Sequence, residues 1–391
     1  MTDRRVRVVH VLEATVGGTK KHVLDLCTHL DPARFDCHAI LSPLRDPCFD
    51  ETRLVLQQAG VHSICVPMRR SLSWTEQRAR INELRHVLRK LRPDIVHCHS
   101  SVAGLVGRIA ARRETVAATV YTPHGFPFCM QVSLPLRLAL WAVEAWLGRS
   151  TTRIVAVGEG ERQVALQRHI TTSDRCVVIQ NGVNQPAPPR VDRSQKLLAV
   201  GVPPDARTVL CVGDLREQKG HVYAIKALGL LAHEEPPVHL LIAGEGELAG
   251  RLDSLARELG IPDRLHLLGA RRDVPELLAC CDVFCQPSLW EACPYAVVEA
   301  AVGACAIVGT DIAGIREIVR PPGSGWLVPP GDAEELSRAL QAALAAPEER
   351  AKRGARVAHR TRDKHSIKRM IALTEALYED VAQQTGAPRA L

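Results

Sequence analysis

Glu291 and Glu299 stand eight residues apart in the run Glu291-Ala292-Cys293-Pro294-Tyr295-Ala296-Val297-Val298-Glu299-Ala300, with a proline between them. Pro294 suits the first turn of a helix, which places one carboxylate in the entering loop and the other two turns further on. Free backbone N–H groups and the positive end of the helix dipole then lie beside two acids that seek hydroxyls. Phosphate oxygens and sugar hydroxyls are what such a corner binds. A surface helix with two acids at that spacing is the plain alternative, so the pair needs companions.

Companions exist. The strand-like Val209–Val212 leads into Gly213-Asp214-Leu215-Arg216-Glu217-Gln218-Lys219-Gly220 and then a helix. Cations at a strand-to-helix turn, next to helix amides, suit a diphosphate leaving group whose negative charge develops as it departs. Near the N-terminus, Val6–Leu12 is followed by Gly17-Gly18 and, four positions on, His22. Adjacent glycines permit positive φ and let a ligand touch the main chain. His97 and His99 flank Cys98 at the end of the strand Ile95–Cys98, where alternation points both imidazoles the same way. Two histidines invite zinc, but no third ligand has metal-site spacing, so a structural role at the crevice floor is the expectation. His124, in Thr122-Pro123-His124-Gly125, follows the strand Val116–Tyr121 at a bend. Asn181-Gly182 is a turn signal, and Gly244 opens a Gly-x-Gly turn after Leu240–Ala243.

These residues need elements to hold them. Short apolar β-branched runs alternate with amphipathic stretches along the whole chain, and the runs are continuous rather than alternating. That pattern predicts strands buried on both faces, hence parallel sheets covered by helices. Prolines crowd residues 186–204 and mark a linker. The expected layout is therefore a first α/β domain over residues 1–185, the linker, a second over 205–364, and a closing helix over 365–391. In open α/β sheets the ligand crevice lies outside the carboxyl ends of the strands.

At 391 residues the chain exceeds what one core usually serves. Residues 1–185 carry 25 Lys+Arg against 16 Asp+Glu, and residues 186–391 carry 25 against 27, so the first half is the basic one. Such a field favours anionic partners, a phosphorylated acceptor or an acidic membrane surface, whereas nucleic acid lacks a recognition motif. Thirteen cysteines without C-x-x-C spacing read as buried thiols in a reducing compartment. No apolar run approaches bilayer length and no signal peptide precedes Val6, so the expectation is a cytoplasmic protein. The stretch Gln131–Leu147 is apolar nearly all round. It reads as a buried helix, with a peripheral membrane contact at the inner face of the membrane as the alternative.

The motifs from Val8 to about Asp332 together resemble glycosyltransferase family 4, retaining enzymes of the GT-B fold, in which two doubly wound, Rossmann-like parallel-sheet domains face each other across a cleft. The resemblance implies a donor site of Gly17, Gly18, Arg216, Lys219, Gly244, Arg271, Glu291, Cys293, Pro294, Tyr295, Ala296, Val297 and Glu299, and an acceptor side of His22, His99 and His124. It makes Glu299 the acid on the ribose, Glu291 the one on the transferred sugar, and His124, Lys219 and Glu291 the catalytic set. Two positions depart from the family. Asp214 stands where arginine is usual, with Arg216 as the candidate substitute, and Ala292 stands where glycine is commoner, which strains the loop if φ is positive there. The chain contains no Asp-x-Asp, so the leaving group falls to Lys219, helix amides and Arg216 rather than to a required metal. The implied partners are a nucleotide sugar, UDP-linked by expectation, and a saccharide or lipid-linked saccharide acceptor. A sugar-nucleotide epimerase or hydrolase of the same architecture, acting without an acceptor, is the rival reading.

Overall fold

The apolar runs become parallel strands in two separate sheets. A computed structural model describes residues 4–386 apart from Pro47, Leu72, residues 186–190 and Pro321. In the first sheet β1 (Val6–Leu12), β2 (Phe35–Leu41), β3 (His62–Cys65), β4 (Ile95–His99), β5 (Ala118–Thr122), β6 (Arg153–Ala156) and β7 (Cys176–Val178) lie in the order β3-β2-β1-β4-β5-β6-β7. In the second, β8 (Arg207–Val212), β9 (Val238–Ala243), β10 (Leu265–Leu267), β11 (Val283–Gln286), β12 (Ile307–Thr310) and β13 (Trp326–Val328) lie in the order β10-β9-β8-β11-β12-β13. Each order runs outward one way and then restarts beside its first strand. The switch points fall between β1 and β4 and between β8 and β11, and at such points neighbouring loops diverge and leave room for a ligand.

The chain divides between Asn181 and Gly182 and again between Ser366 and Ile367. Of the stretch read as a linker, residues 186–190 lie outside the described residues. The remainder carries the helix Arg193–Ala199 and belongs to the second unit. Arg193 fixes it there by donating to the carbonyls of Pro204 at 2.6 Å and Ala206 at 3.0 Å and to the Asp282 carboxylate at 3.0 Å.

The helix Ile367–Gln384 belongs to the first unit. Its Met370, Tyr378 and Val381 are buried against Val6, Val8, Ile95 and Val120 on one face of the first sheet. Arg34 ties the same helix from outside through Glu375 at 3.0 Å and through Glu379. The opposite face is covered by the helices Trp74–Leu91 and Ser101–Arg113, whose Ile81, Leu84, Leu88, Val106 and Ile109 pack on Val9, Val11 and Val96. The short edge strand β13 and the helix Phe49–Gln58 were not legible as elements, the one too brief and the other too polar to show a period.

One expectation fails outright. The helix Leu134–Gly148 is not buried but turned inside out. Its single acid, Glu144, is 3% exposed, whereas Leu134 is 63% and Leu138 54% exposed, with Trp141, Val143 and Trp146 also on the surface. The cause is a partner 36 residues upstream. Arg108, itself buried in the Ser101–Arg113 helix, donates to Glu144 at 2.7 Å, and the Tyr121 hydroxyl donates to the other oxygen at 3.0 Å. Once the carboxylate is satisfied inside, the leucines on the other sides must face out.

Candidate active site

In the second unit, the loops after β8, β9 and β10 are stitched into one backbone platform. Gly213 N–H donates to Ala243 O at 3.0 Å, Leu215 N–H to Glu245 O at 2.9 Å, and Gly244 N–H to Gly269 O at 2.8 Å. The glycines are required by contact. A Cβ on Gly244, whose φ is +158°, would lie 2.0 Å from Gly213 O, and one on Gly220, whose φ is +65°, would lie 2.0 Å from Pro287 O. The second contact matters most because it brings the Lys219 loop, after β8, against the Pro287 loop, after β11.

Lys219 and Glu291 meet at that switch point. The Lys219 Nζ donates to Glu291 Oε1 at 2.6 Å, and Ser288 Oγ donates to the same oxygen at 3.1 Å. Gln286 in turn holds the Ser288 hydroxyl at 2.7 Å, and Gln218 bonds the Trp290 carbonyl at 3.0 Å. Glu291 is therefore positioned by several groups before any ligand arrives. Neither Gln218 nor Ser288 is a residue that spacing singles out, although both are sequence neighbours of residues that are. His221, buried where the next helix begins, is held neutral, burial first and the Lys219 charge second lowering its pKa to about 4.

Pro294 is the residue before the helix Tyr295–Val302 rather than inside its first turn, so Glu299 lies in the helix and Glu291 in the loop. Cys293, Pro294, Tyr295 and Val297 are buried and Ala296 partly so, which leaves their backbone, not their side chains, as ligand groups. Ala292 lies outside the left-handed region, so alanine carries no strain there. The loop is instead set by Gly314, where a Cβ would lie 2.5 Å from Glu291 O and 2.6 Å from Ala292 O.

Arg216 and Asp214 sit close together, Nε to Oδ2 3.9 Å, both well exposed. The acid at the departing position thus partly offsets the arginine proposed to replace it. Arg271 is committed to Asp273 by a bidentate pair at 2.8 and 2.6 Å, which raises the arginine pKa and depresses that of the acid. Its side chain serves the loop.

The first unit holds a histidine cluster at its own switch point. Gly17 and Gly18 form the start of the helix Gly17–His29, exposed, with Gly17 at φ +58°, and that helix presents His22 inward. His97 and His99 do project together from β4, ring centroids 4.0 Å apart. His99 Nε2 meets His10 Nδ1 at 3.0 Å and His99 Nδ1 meets His124 Nε2 at 3.3 Å, while the His22 and His124 rings pack edge to face at 4.7 Å. The three acceptor-side histidines are thereby brought together. Asn181, read as a turn residue, accepts through its Oδ1 from His22 Nδ1–H at 3.0 Å. Tyr378 from the closing helix bonds His97 Nδ1 at 2.6 Å.

His124 itself has φ +54°, a left-handed conformation uncommon for a side chain of its size. Its turn is held by Glu161, which accepts from Gly125 N–H at 2.6 Å and Val157 N–H at 2.8 Å. Spacing gave no signal for Glu161, because its partners lie in two separate loops. Burial lowers the pKa of His22 to about 3 and keeps His97, His99 and His124 well below the ordinary imidazole value, with neighbouring histidine charges second. They act as neutral hydrogen-bonding groups. The fold also supplies third metal donors that sequence spacing did not foresee: His10 beside His97 and His99, and His22 and His124 beside His99, each set with its ligand atoms within 4.8 Å. Both His99 nitrogens are engaged with other imidazoles.

Two doubly wound parallel sheets, with a lysine and a glutamate meeting at one switch point and neutral histidines at the other, define a GT-B glycosyltransferase. The profile of Glycosyltransferase Family 4 matches residues 16–185, and that of Glycosyl transferases group 1 matches residues 193–360. An Escherichia coli UDP-Gal:α-D-GlcNAc-diphosphoundecaprenol α-1,3-galactosyltransferase is 29% identical over 350 residues, covering 87% of this chain and 88% of that one. EpsD of Bacillus subtilis, classed as a glycosyltransferase, is 30% identical over 291 residues, covering 72% and 76%. The crystal structure of Anabaena HepE with UDP and glucose superposes with a TM-score of 0.81 at 19% identity, covering 95% and 99%. The chain belongs to glycosyltransferase family 4, and it transfers a sugar from a nucleotide sugar.

Proposed function

We propose that this chain is a retaining transferase that moves a hexose from a UDP-linked donor to a hydroxyl of a saccharide carried on a lipid diphosphate, without a required metal. The observation that carries the reading is the Lys219–Glu291 contact at the β8/β11 switch point. The donor and acceptor named for the E. coli relative, and the UDP bound to HepE, supply the substrate classes. In the proposed reaction the bond from the sugar's anomeric carbon to the diphosphate oxygen breaks. The acceptor oxygen bonds to the same face of that carbon, and its proton passes to the departing phosphate oxygen. Nothing in the protein need become covalently attached. Lys219 opposes the charge growing on the diphosphate, Glu291 holds sugar hydroxyls, Glu299 holds the ribose, and His124, being neutral, orients the sugar by hydrogen bonding.

The purified chain should transfer sugar from one of a panel of UDP-sugars to a saccharide-diphospholipid, with the anomeric proton coupling of the product in NMR matching that of the donor and the rate unchanged in EDTA. Inversion at that carbon, or activity lost in EDTA and restored by added metal, would overturn the mechanism. Conversion of the donor with no acceptor present would replace transfer by epimerisation or hydrolysis.

A lipid-linked acceptor requires approach to a bilayer. Among the described residues no helix is long and apolar enough to cross one. The inside-out helix Leu134–Gly148 offers leucines and two tryptophans, with Arg137 and Arg149 exposed along it and Arg112 5.9 Å from the Trp146 ring. Apolar and aromatic side chains fringed by arginine fit the headgroup boundary of an anionic membrane. We assign the chain to the cytoplasm, held peripherally at the inner face of the membrane by this helix. In flotation with phosphatidylglycerol vesicles the wild type should rise, and a Leu138→Ser/Trp146→Ser variant should stay at the bottom at least fivefold more. Equal flotation of both, or a dimer by sedimentation that the variant dissolves, would assign the face to another role.

A further inference from the structure

Three donors that the transfer reaction does not use meet beneath the first helix. Val8 pairs with Cys37 and His10 with Ala39, so alternation puts the His10 imidazole and the Cys37 thiol on one face of the first sheet. The helix Gly17–His29 packs Cys27 into the same cluster as Cys37 and Ala39. A ring nitrogen of His10 and the two sulfurs all lie within 4.8 Å of one another. His10 is 0% and Cys27 3% exposed, and Cys37 is half-buried.

His10 is the member that lacks a partner. Its Nδ1 meets His99 Nε2 at 3.0 Å, whereas its Nε2, out of water, has no hydrogen-bond partner among the described residues. A buried ring nitrogen in that state forfeits the bond it would make in water. The neighbouring imidazoles differ. Both nitrogens of His97 are taken, by Tyr378 and Thr122, and both of His99, by His10 and His124. A cation among those rings would have to break such bonds, and one between His10 Nε2 and the thiols breaks none of them.

We propose that His10 Nε2, Cys27 Sγ and Cys37 Sγ form a zinc site. Zn²⁺ takes this mixture of thiolate and imidazole. On binding, both thiols lose their protons to solvent and form two Zn–S bonds, and His10 adds a Zn–N bond through its lone pair. One dication against two thiolates leaves a neutral group in an apolar surround, whereas monovalent copper would leave a buried anion. The half-buried Cys37 gives the ion its way in and leaves a fourth position to water.

The histidine order is already the one zinc needs. A proton on His10 Nε2 would be a buried donor without an acceptor, so it sits on Nδ1 and is donated to His99 Nε2. His99 then carries its proton on Nδ1 and donates to His124 Nε2 at 3.3 Å. The ion locks this order rather than creating it. It staples β1, β2 and the first helix together, and turnover acquires no metal requirement from it.

The whole chain, reduced and stripped of metal, is to be titrated with Zn²⁺ against a chromophoric chelator. A single ion should bind with release of about two protons. At about a hundredfold excess over its Kd it should raise the melting temperature by about 5 °C. Co²⁺ as a probe should give a thiolate charge-transfer band in the near ultraviolet and the visible bands of a tetrahedral ion. Cys27→Ser and Cys37→Ser should each weaken zinc by at least about a hundredfold, and Cys65→Ser, on the edge strand, should not. Nitrogen NMR of isotope-labelled histidine should show His10 Nε2 shifting on zinc addition while its Nδ1 keeps its proton. A cobalt spectrum without thiolate absorption would move the ion to the imidazoles and overturn the site. That spectrum is read on the wild type, so it decides even where a variant fails to fold. Absence of binding, or unchanged affinity in both serine variants, would overturn it equally. So would Cys27 and Cys37 joined as a disulfide in the chain isolated without added oxidant.

Discussion

Lys219→Ala lowers kcat by about 10²- to 10³-fold while raising donor KM far less, because the lysine's contribution is largest when the diphosphate carries its full departing charge. The expectation follows from position. Lys219 is the cation held at the β8/β11 switch point, and it is already oriented by Glu291 at 2.6 Å. Arg216 is a weaker source of charge, being exposed and 3.9 Å from Asp214. The alanine variant also leaves Glu291 without its counter-ion, so Lys219→Ala/Glu291→Gln should recover thermal stability but not turnover. Glu299→Ala offers the contrast: it should raise donor KM strongly with a smaller effect on kcat, as fits a ribose contact made equally in ground and transition states. Steady-state kinetics with a matched donor and acceptor measure both. A Lys219→Ala enzyme within threefold of the wild-type kcat ends the assignment of the leaving-group role.

The second large effect is a loss of stability in mild acid. Burial keeps His22, His97, His99 and His124 from protonating in the folded chain until far below their ordinary pKa of about 6.5. The unfolded chain takes up those protons as soon as pH falls through that value. Stability is therefore complete above about pH 6.5 and declines as pH drops toward the folded-state values, by about 1.4 kcal/mol per pH unit for each imidazole at most. With four such groups, a drop from pH 7 to pH 5 should lower the melting temperature by more than 10 °C. Hydrogen exchange should show β1 and β4 opening first. A single His22→Asn substitution should flatten the pH slope by about a quarter, whatever it does to stability at pH 7.5. Melting curves that superpose from pH 7.5 to pH 5 would show that these imidazoles are not held neutral.

The alternation of β-branched runs with amphipathic stretches made the two parallel sheets legible, because a strand buried on both faces has no freedom to alternate. The residues of the candidate site were picked out for a related reason: glycines, acids and cations at strand ends have few structural uses. Their mutual contacts were not. That Lys219 bonds Glu291 depends on β8 lying next to β11, a strand order that local patterns do not encode. Glu161 was hidden because it serves two backbone amides from different loops. The helix Leu134–Gly148 misled for the opposite reason. Its composition states how apolar it is, but the direction it faces is decided by Arg108, a residue of another helix.

The closing helix has a consequence for how the protein is made. Tyr378, Met370 and Val381 cover one face of a sheet whose strands end at Val178, yet they are encoded beyond the whole of the second unit, Gly182–Ser366. During translation, at roughly 5–20 residues per second, that face of Val6, Val8, Ile95 and Val120 stays without its lid for roughly 10–40 seconds. The second unit can collapse on emerging from the ribosome, whereas the earlier-synthesised one cannot be finished until the last helix is released. In this chain the half made first is completed last, and its bare sheet is the surface a nascent-chain chaperone would meet.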